Sequence, residues 1–170
     1  FKTPTESVQV SSPPALQWAT PPPSGLRVTW LGHSTTLIEI DGHRVLTDPV
    51  WSHQVTPVQG IGPVRYYPPL ATLMELGKLD AVVISHDHYD HMDEPTIMQL
   101  SKLGITFVVP LGVGSHLEYW GVPLAQIREM DWWESTKFGD LEIACTPARH
   151  ASGRHVFDKD RNLWASYSIL

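Results

Sequence analysis

The clearest indication of the fold comes from residues 81–91, which read Ala81-Val82-Val83-Ile84-Ser85-His86-Asp87-His88-Tyr89-Asp90-His91. Its four leading apolar residues predict a strand that is buried on both faces, as strands of a parallel sheet are. Polar residues follow at once, so the strand should end in a loop at one edge of its sheet. His86, His88, Asp90 and His91 fall within six positions of that loop. This density of ligand-type residues predicts a metal site.

The spacing of the four residues suggests how metal ions would be held. His86 and His88 are two positions apart, so on an extended backbone they point the same way and can bind one ion. Asp90 and His91 follow as the chain turns toward a helix, and they can reach a second ion beside the first. Imidazole nitrogens with a carboxylate suit zinc, with iron and manganese as alternatives. The competing interpretation is a polar loop that is merely rich in histidine.

Strand patterns alternate with short helical patterns around this loop, which indicates a mixed α/β fold. Asp41-Gly42 separates two β-prone runs and predicts a hairpin turn. Asp93 is expected to act as the N-cap of a helix. We predict further strands over residues 26–31, 35–40, 43–47, 105–109, 127–130, 141–146 and 163–170, and helices over residues 73–79 and 114–120.

Composition limits the classes of protein to consider. The 170 residues carry 12 Lys and Arg against 18 Asp and Glu, a net charge of −6, which argues against a nucleic-acid partner. The single cysteine, Cys145, excludes a disulfide framework. No signal peptide and no apolar run of about 20 residues is seen, so we expect an intracellular protein, soluble or peripherally membrane-bound. Residues 1–25 are expected to form a Pro-rich extended arm, and residues 26–170 one domain.

The motif His86-x-His88-x-Asp90-His91 is the signature of the metallo-β-lactamase superfamily, whose fold is a four-layer αββα sandwich of two similar halves. Over about residues 26–170 the chain also resembles the N-acyl-phosphatidylethanolamine-hydrolysing phospholipase D family and its bacterial relatives. The blocks that carry this resemblance are Thr29-Trp30-Leu31-Gly32-His33-Ser34, Leu46-Thr47-Asp48-Pro49, residues 84–93, Val109-Pro110-Leu111-Gly112, Asp131-Trp132-Trp133-Glu134, Thr146-Pro147-Ala148-Arg149-His150 and Leu163-Trp164-Ala165-Ser166.

The resemblance implies a set of metal ligands. His86, His88 and His150 would bind the first zinc, and Asp90 and His91 the second. In the family a later aspartate bridges both ions and a late histidine completes the second site, and this sequence contains neither. We therefore expect two zinc ions in the complete domain and one in this chain. The chain should hold the N-terminal half of the sandwich and a little more, and the C-terminal half is an expected partner.

Asp90 and three further residues have expected roles near the metal. Asp90 is the candidate catalytic residue, because a carboxylate beside the second ion can orient the attacking water and take its proton. Asp48 can accept the outer N–H of a ligand histidine, or it can simply end a strand as an Asp-Pro pair. His33 either lines the cleft or caps a backbone group. Tyr89 occupies a position that lies near the bound phospholipid in the family.

The resemblance also implies an activity. It points to a phosphodiesterase of phospholipase D type that uses a metal-activated hydroxide on N-acyl-phosphatidylethanolamine-like phospholipids or another small phosphodiester. A lipid substrate would bring peripheral membrane contact. Two alternatives stay open: a hydrolase of the same fold that acts on a lactone or sugar-phosphate lactone, and a metal-binding fragment that is catalytically incomplete.

Overall fold

The computed structural model describes residues 6, 10, 18–56, 60–62, 64–155 and 157–170. Within these residues, nine strands form two sheets and two α-helices cover one of them. The strands are β1 Leu26–Gly32, β2 Thr35–Ile40, β3 His43–Thr47, β4 Ala81–Val83, β5 Thr106–Pro110, β6 Ile127–Met130, β7 Ser135–Phe138, β8 Leu141–Thr146 and β9 Ser166–Ile169. The α-helices are α1 Glu94–Ser101 and α2 Gly114–Tyr119, and short 3-10 helices span Leu73–Leu76 and Leu124–Gln126.

The larger sheet has six strands in the order β1-β2-β3-β4-β5-β6. Its first three strands are antiparallel, and β3 to β6 run parallel to one another. The predicted hairpin is confirmed, since Ile40 pairs with His43 across the turn. Asp41 and Gly42 have φ values of 47° and 89°, which the tight two-residue turn between twisted strands requires.

Side chains that alternate along the central strands create two separate cores. Leu46 and Phe107 belong to a core that also contains side chains of α1 and α2. Val45 and Val108 point to the opposite face, where they pack against the antiparallel three-stranded sheet β7-β8-β9. The described residues thus form a helix layer, a six-stranded sheet and a three-stranded sheet. This is the arrangement expected for part of an αββα sandwich.

Loops that follow strands of both sheets meet at one edge of the larger sheet. Asp48 lies just after the end of β3. Because β3 and β4 are neighbours, its N–H can donate to the carbonyl of Val83 at the end of β4, at 2.9 Å. Ser85, just beyond β4, donates its backbone N–H to the carboxylate of the same Asp48 at 2.7 Å. The second loop follows Thr146 at the end of β8 and leads to His150. The candidate site lies where these loops meet.

Two predicted elements are shorter than expected. The helix predicted over residues 73–79 is a single 3-10 turn, and it ends at Gly77, whose φ of 71° is incompatible with further helix. The strand predicted over residues 163–170 pairs only from Ser166. Leu163 and Ala165 instead donate their N–H groups to carbonyls outside the three-stranded sheet, those of Leu111 and Ser85.

Asp93 occupies the N-cap position of α1, but its side chain does not cap the helix. The carboxylate instead accepts hydrogen bonds from the backbone N–H and the hydroxyl of Ser52, at 3.1 and 2.7 Å, and from the hydroxyl of Thr96. Asp93 therefore fastens the loop after β3 to the start of α1, which was not expected from the cap pattern.

Most of the predicted Pro-rich arm lies outside the described residues, so its extended conformation stays a prediction. Trp18 is described, and its side chain is 1% exposed within the helix-side core. The Arg44 guanidinium donates to the Trp18 carbonyl. None of the helices in the described part of the chain has the length and hydropathy needed to span a bilayer.

Candidate metal centre

Three histidine side chains from the two loops converge on one point. His86 Nε2 lies 2.8 Å from His88 Nδ1 and 2.9 Å from His150 Nε2. His86 and His150 are 64 positions apart in the sequence. Three imidazole nitrogens that can face one ion form a donor set that suits zinc. These are the residues predicted as ligands of the first ion, and their role as ligands stays a prediction.

The protonation of His86 follows from its neighbours. The Ser85 hydroxyl donates to Asp48 Oδ2 at 2.8 Å, so at 2.9 Å it accepts from His86 Nδ1, which carries the proton. The lone pair of His86 is then on Nε2, the atom that faces the other two histidines. Burial, followed by the neighbouring histidines, lowers the pKa of His86 to about 3. This imidazole is therefore neutral and ready to bind a metal at neutral pH.

A second cluster lies beside the first and consists of His33, Asp90 and His91. His33 Nε2 is 2.9 Å from Asp90 Oδ2, and His91 Nε2 is 3.8 Å from the same oxygen. One ligand atom from each of the three side chains lies within 4.8 Å of the other two. Asp90 and His91 are the predicted ligands of the second ion. His33 was expected only to line the cleft or cap a backbone group.

Asp48 is buried between the two clusters and orients both. Its Oδ1 accepts from the backbone N–H of Ser85 at 2.7 Å, and its Oδ2 accepts from His91 Nδ1 at 2.9 Å. Because a carboxylate only accepts, His91 carries its proton on Nδ1 and keeps a free Nε2. Burial alone would lower the pKa of His91, but its hydrogen bond to Asp48 and the negative charge of Asp48 raise it overall. The geometry is that of a carboxylate supporting a ligand histidine.

The charge of Asp90 is stabilised by its surroundings. Burial alone would raise the pKa of this carboxyl, but the hydrogen bond from His33 and the nearby His91 lower it overall. Asp90 therefore carries a full negative charge at neutral pH, as a metal ligand must.

Two residues of the site have strained backbones. Among the described residues, His33 and Asp48 have φ values of 48° and 41°, in the left-handed region that non-glycine residues avoid. Each such residue costs about 1–2 kcal/mol. Surrounding contacts hold them there: Trp30 Nε1 donates to the His33 carbonyl at 2.8 Å, and the Thr35 hydroxyl donates to the Asp48 carbonyl at 2.8 Å. Strain maintained in this way is typical of functional sites.

Asp87, between the two ligand histidines, is a residue that the sequence analysis missed. It is completely buried, and its Oδ1 and Oδ2 accept from the N–H of Gly153 and the amide of Asn162, each at 2.7 Å. Burial alone would raise its pKa, but hydrogen bonds from His116, Gly153 and Asn162 lower it to about 2. Asp87 thus connects the loop after β4 to the loop that carries His150. The only sequence signal was an aspartate inside a run of candidate ligands.

Tyr89 does not face the metal cluster. Its hydroxyl donates to the Arg154 carbonyl at 3.0 Å, and the Arg154 guanidinium lies 4.0 Å above its ring. Arg154 also donates to the carbonyls of Asp87 and Met92, both at 2.8 Å. Tyr89, Met92 and Arg154 line a cavity of about 400 Å³, which Trp120 also borders. A substrate role for Tyr89 would therefore act through this cavity, beside the metal cluster.

Comparison with known proteins extends the resemblance. A model of the beta-lactamase superfamily domain matches residues 43–170. An uncharacterised protein of Mycobacterium tuberculosis is 51% identical over 148 residues, which cover 86% of this chain and 40% of that protein. The N-acyl-phosphatidylethanolamine-hydrolyzing phospholipase D 1 of Caenorhabditis elegans is 36% identical over 156 residues, covering 86% of this chain and 44% of that enzyme.

A solved structure is similar as well. A metallo hydrolase from the archaeon Ignicoccus hospitalis superposes with a TM-score of 0.59 at 26% identity, over 85% of this chain and 55% of that one. The chain therefore spans about two fifths of the length of the two relatives and about half of the solved structure. The region matched by the family model, the fold and the ligand motif all indicate the same superfamily. The chain belongs to the beta-lactamase superfamily.

Proposed function

We propose that this chain is the metal-binding part of a zinc-dependent hydrolase that cleaves phosphodiester bonds in N-acyl-phosphatidylethanolamine-like phospholipids. The observation that carries the proposal is the convergence of His86, His88 and His150 nitrogens at 2.8–2.9 Å, beside a second cluster that contains an ionised aspartate. The 36% identity to a phospholipase of that specificity supports the substrate class.

The donor sets of the two clusters fit divalent metal. His86, His88 and His150 would hold one ion, and Asp90 and His91 would take part in holding a second. A bound zinc supplies a Lewis acid that polarises the phosphoryl group and makes a water molecule acidic near neutral pH. Asp48 and Ser85 keep the imidazole donor atoms turned toward that position.

Asp90 would act as the general base and then the general acid, carrying a proton from the attacking water to the leaving group. Its ionised carboxylate accepts a hydrogen bond from the attacking water and turns the oxygen lone pair toward phosphorus. As the new P–O bond forms, the water proton moves to this carboxylate. As the bond to the N-acylethanolamine oxygen breaks, the same proton passes to the leaving alkoxide. Phosphatidic acid and N-acylethanolamine result, and Asp90 is again ionised.

The substrate class is tested by assaying the zinc-loaded protein on N-acyl-phosphatidylethanolamine in mixed micelles and on a panel of lactones and sugar-phosphate lactones. We expect release of N-acylethanolamine, reduced at least about 100-fold in His88→Ala and Asp90→Asn. Hydrolysis of a lactone alone would replace the phospholipid proposal with a lactonase. Full metal loading without turnover of any substrate would show a catalytically incomplete fragment.

We also propose that the lipid reaches the site from a membrane surface, and that a C-terminal half like that of the longer relatives completes the substrate groove. Tyr119 and Phe157 are 88% and 87% exposed, and Tyr119 borders the cavity beside Tyr89. Exposed aromatic rings suit the interface between water and lipid. Sedimentation with phosphatidylcholine–phosphatidylethanolamine vesicles should pull down the protein, and Phe157→Ser should weaken this. A protein that stays in the supernatant would contradict membrane contact.

A further inference from the structure

We infer that His33 is a third protein ligand of the second ion, so that this chain binds two divalent ions with its own residues. The inference rests on the proposed metal site and extends it. The resemblance implies only Asp90 and His91 at this position, with the remaining ligands in a part of the family's chain that this sequence does not include. The structure places a third ligand-type side chain beside them.

The distances between donor atoms fit one ion. Zinc bonds of about 2.0–2.2 Å in a tetrahedral arrangement separate neighbouring donor atoms by about 3.3–3.6 Å. His33 Nε2 is 2.9 Å from Asp90 Oδ2, and His91 Nε2 is 3.8 Å from that oxygen. These two values lie on either side of the required spacing, and the donor atoms of His33 and His91 lie within 4.8 Å of each other. Side-chain rotations can therefore bring the three atoms around one ion.

The chemistry of the three donors also fits. His91 uses Nδ1 for Asp48, which leaves Nε2 for the ion. Asp90 contributes a carboxylate oxygen, Oδ2, which is the atom that His33 Nε2 and His91 Nε2 both approach. The side chains of His33 and Asp90 are 51% and 41% exposed, so water has access to a fourth position. Three protein ligands with one open position is the arrangement of catalytic zinc sites.

The backbone holds His33 in place for this role. Its φ of 48° is strained, and the Trp30 indole fixes its carbonyl at 2.8 Å. The next residue, Ser34, donates to the Asp90 carbonyl at 2.6 Å and so ties the two loops together. His33 and Asp90 are 57 positions apart, yet their side chains meet because these contacts set the distance between the loops.

A zinc titration with a matched variant separates a ligand from a simple hydrogen-bond partner. His33→Gln keeps an N–H that can donate to Asp90, but the amide is a poor zinc ligand. His53→Gln is the control, because His53 is an exposed histidine outside both clusters. Metal-free protein is titrated with zinc against a chelator, and bound zinc is counted by elemental analysis after gel filtration. Circular dichroism checks that each variant is folded, and His33→Asn provides a second replacement.

We expect two zinc ions in the wild type and in His53→Gln, and an at least tenfold weaker second ion in His33→Gln. His88→Ala should weaken the other ion instead. Two ions with unchanged affinity in His33→Gln would overturn the inference and leave His33 as a hydrogen-bond donor. A single ion in the wild type would also overturn it, while the proposed function would stand. No bound zinc in a folded wild type would refute both.

Discussion

Replacing Asp87 with asparagine tests whether this buried carboxylate holds the two site loops together. Both of its oxygens accept from N–H donors, the backbone of Gly153 and the side chain of Asn162. An asparagine of the same size has one oxygen and one NH₂ group. Its NH₂ group would therefore face either the Gly153 N–H or the Asn162 amide, and that donor would lose its acceptor. The substitution changes no volume, and its effect on stability therefore reports the polar contacts alone.

The pKa of Asp87 and the cost of an unpaired buried donor each indicate how much unfolding free energy Asp87→Asn should remove. The pKa of Asp87 is lowered from 3.8 to about 2, which at about 1.4 kcal/mol per pKa unit corresponds to about 2.5 kcal/mol of stabilisation at neutral pH. A buried donor left without an acceptor costs about 1–3 kcal/mol. We expect Asp87→Asn to lower the free energy of unfolding by about 2–3 kcal/mol.

The pH dependence has a defined sign. A carboxyl with a lowered pKa in the folded state stabilises the protein fully above its unfolded value of 3.8, and this is lost as pH falls through about 2. The difference between wild type and Asp87→Asn should thus be constant from pH 8 to pH 5. It should shrink as the pH falls below 4.

Urea denaturation of the metal-free proteins at pH 7, 5 and 3.5 measures this difference. Glu118→Gln, the same carboxyl-to-amide change at an exposed position of α2, is the control and should match the wild type. A loss below about 0.5 kcal/mol for Asp87→Asn would refute the reasoning. A loss of the expected size that persisted unchanged at pH 3.5 would show that the charge is not its origin.

Three other expectations concern the buried Trp18, the hydrogen bond between Asp48 and His91, and the thiol of Cys145. Trp18→Ala should lower the free energy of unfolding by about 3–5 kcal/mol in urea denaturation, since its side chain is 1% exposed; a loss below about 1 kcal/mol would mean that Trp18 does not belong to the core. Asp48→Asn should weaken zinc binding about 10–100-fold in chelator competition, because the charge that orients His91 is removed, and unchanged affinity would count against that role. Burial raises the pKa of Cys145 to about 11, so iodoacetamide at pH 8 should alkylate it slowly in the native protein and quickly in urea. Fast labelling of the folded protein would contradict its burial.

Local patterns were sufficient for the elements whose cause is local. The apolar run before Ser85 predicts a buried strand, and Asp41-Gly42 predicts a hairpin, because the causes are the side-chain period and the turn conformation of adjacent residues. Both are present in the structure. The same reasoning overestimated the helix at Leu73–Leu76 and the strand at Ser166–Ile169, where a glycine or hydrogen bonds outside the sheet set the boundary.

Sequence patterns were enough to identify the superfamily, the strand that leads into the ligand loop, and four candidate ligands within six positions, His86 to His91. Tertiary structure alone brought His33 to Asp90 across 57 positions and Asp48 to Ser85 across 37. It also decided that Asp87 is a buried acceptor. These contacts depend on which strands are neighbours in the sheet and on left-handed backbone conformations at His33 and Asp48. Strand order and left-handed conformations produce no periodic pattern in the sequence, because residues far away along the chain stabilise them.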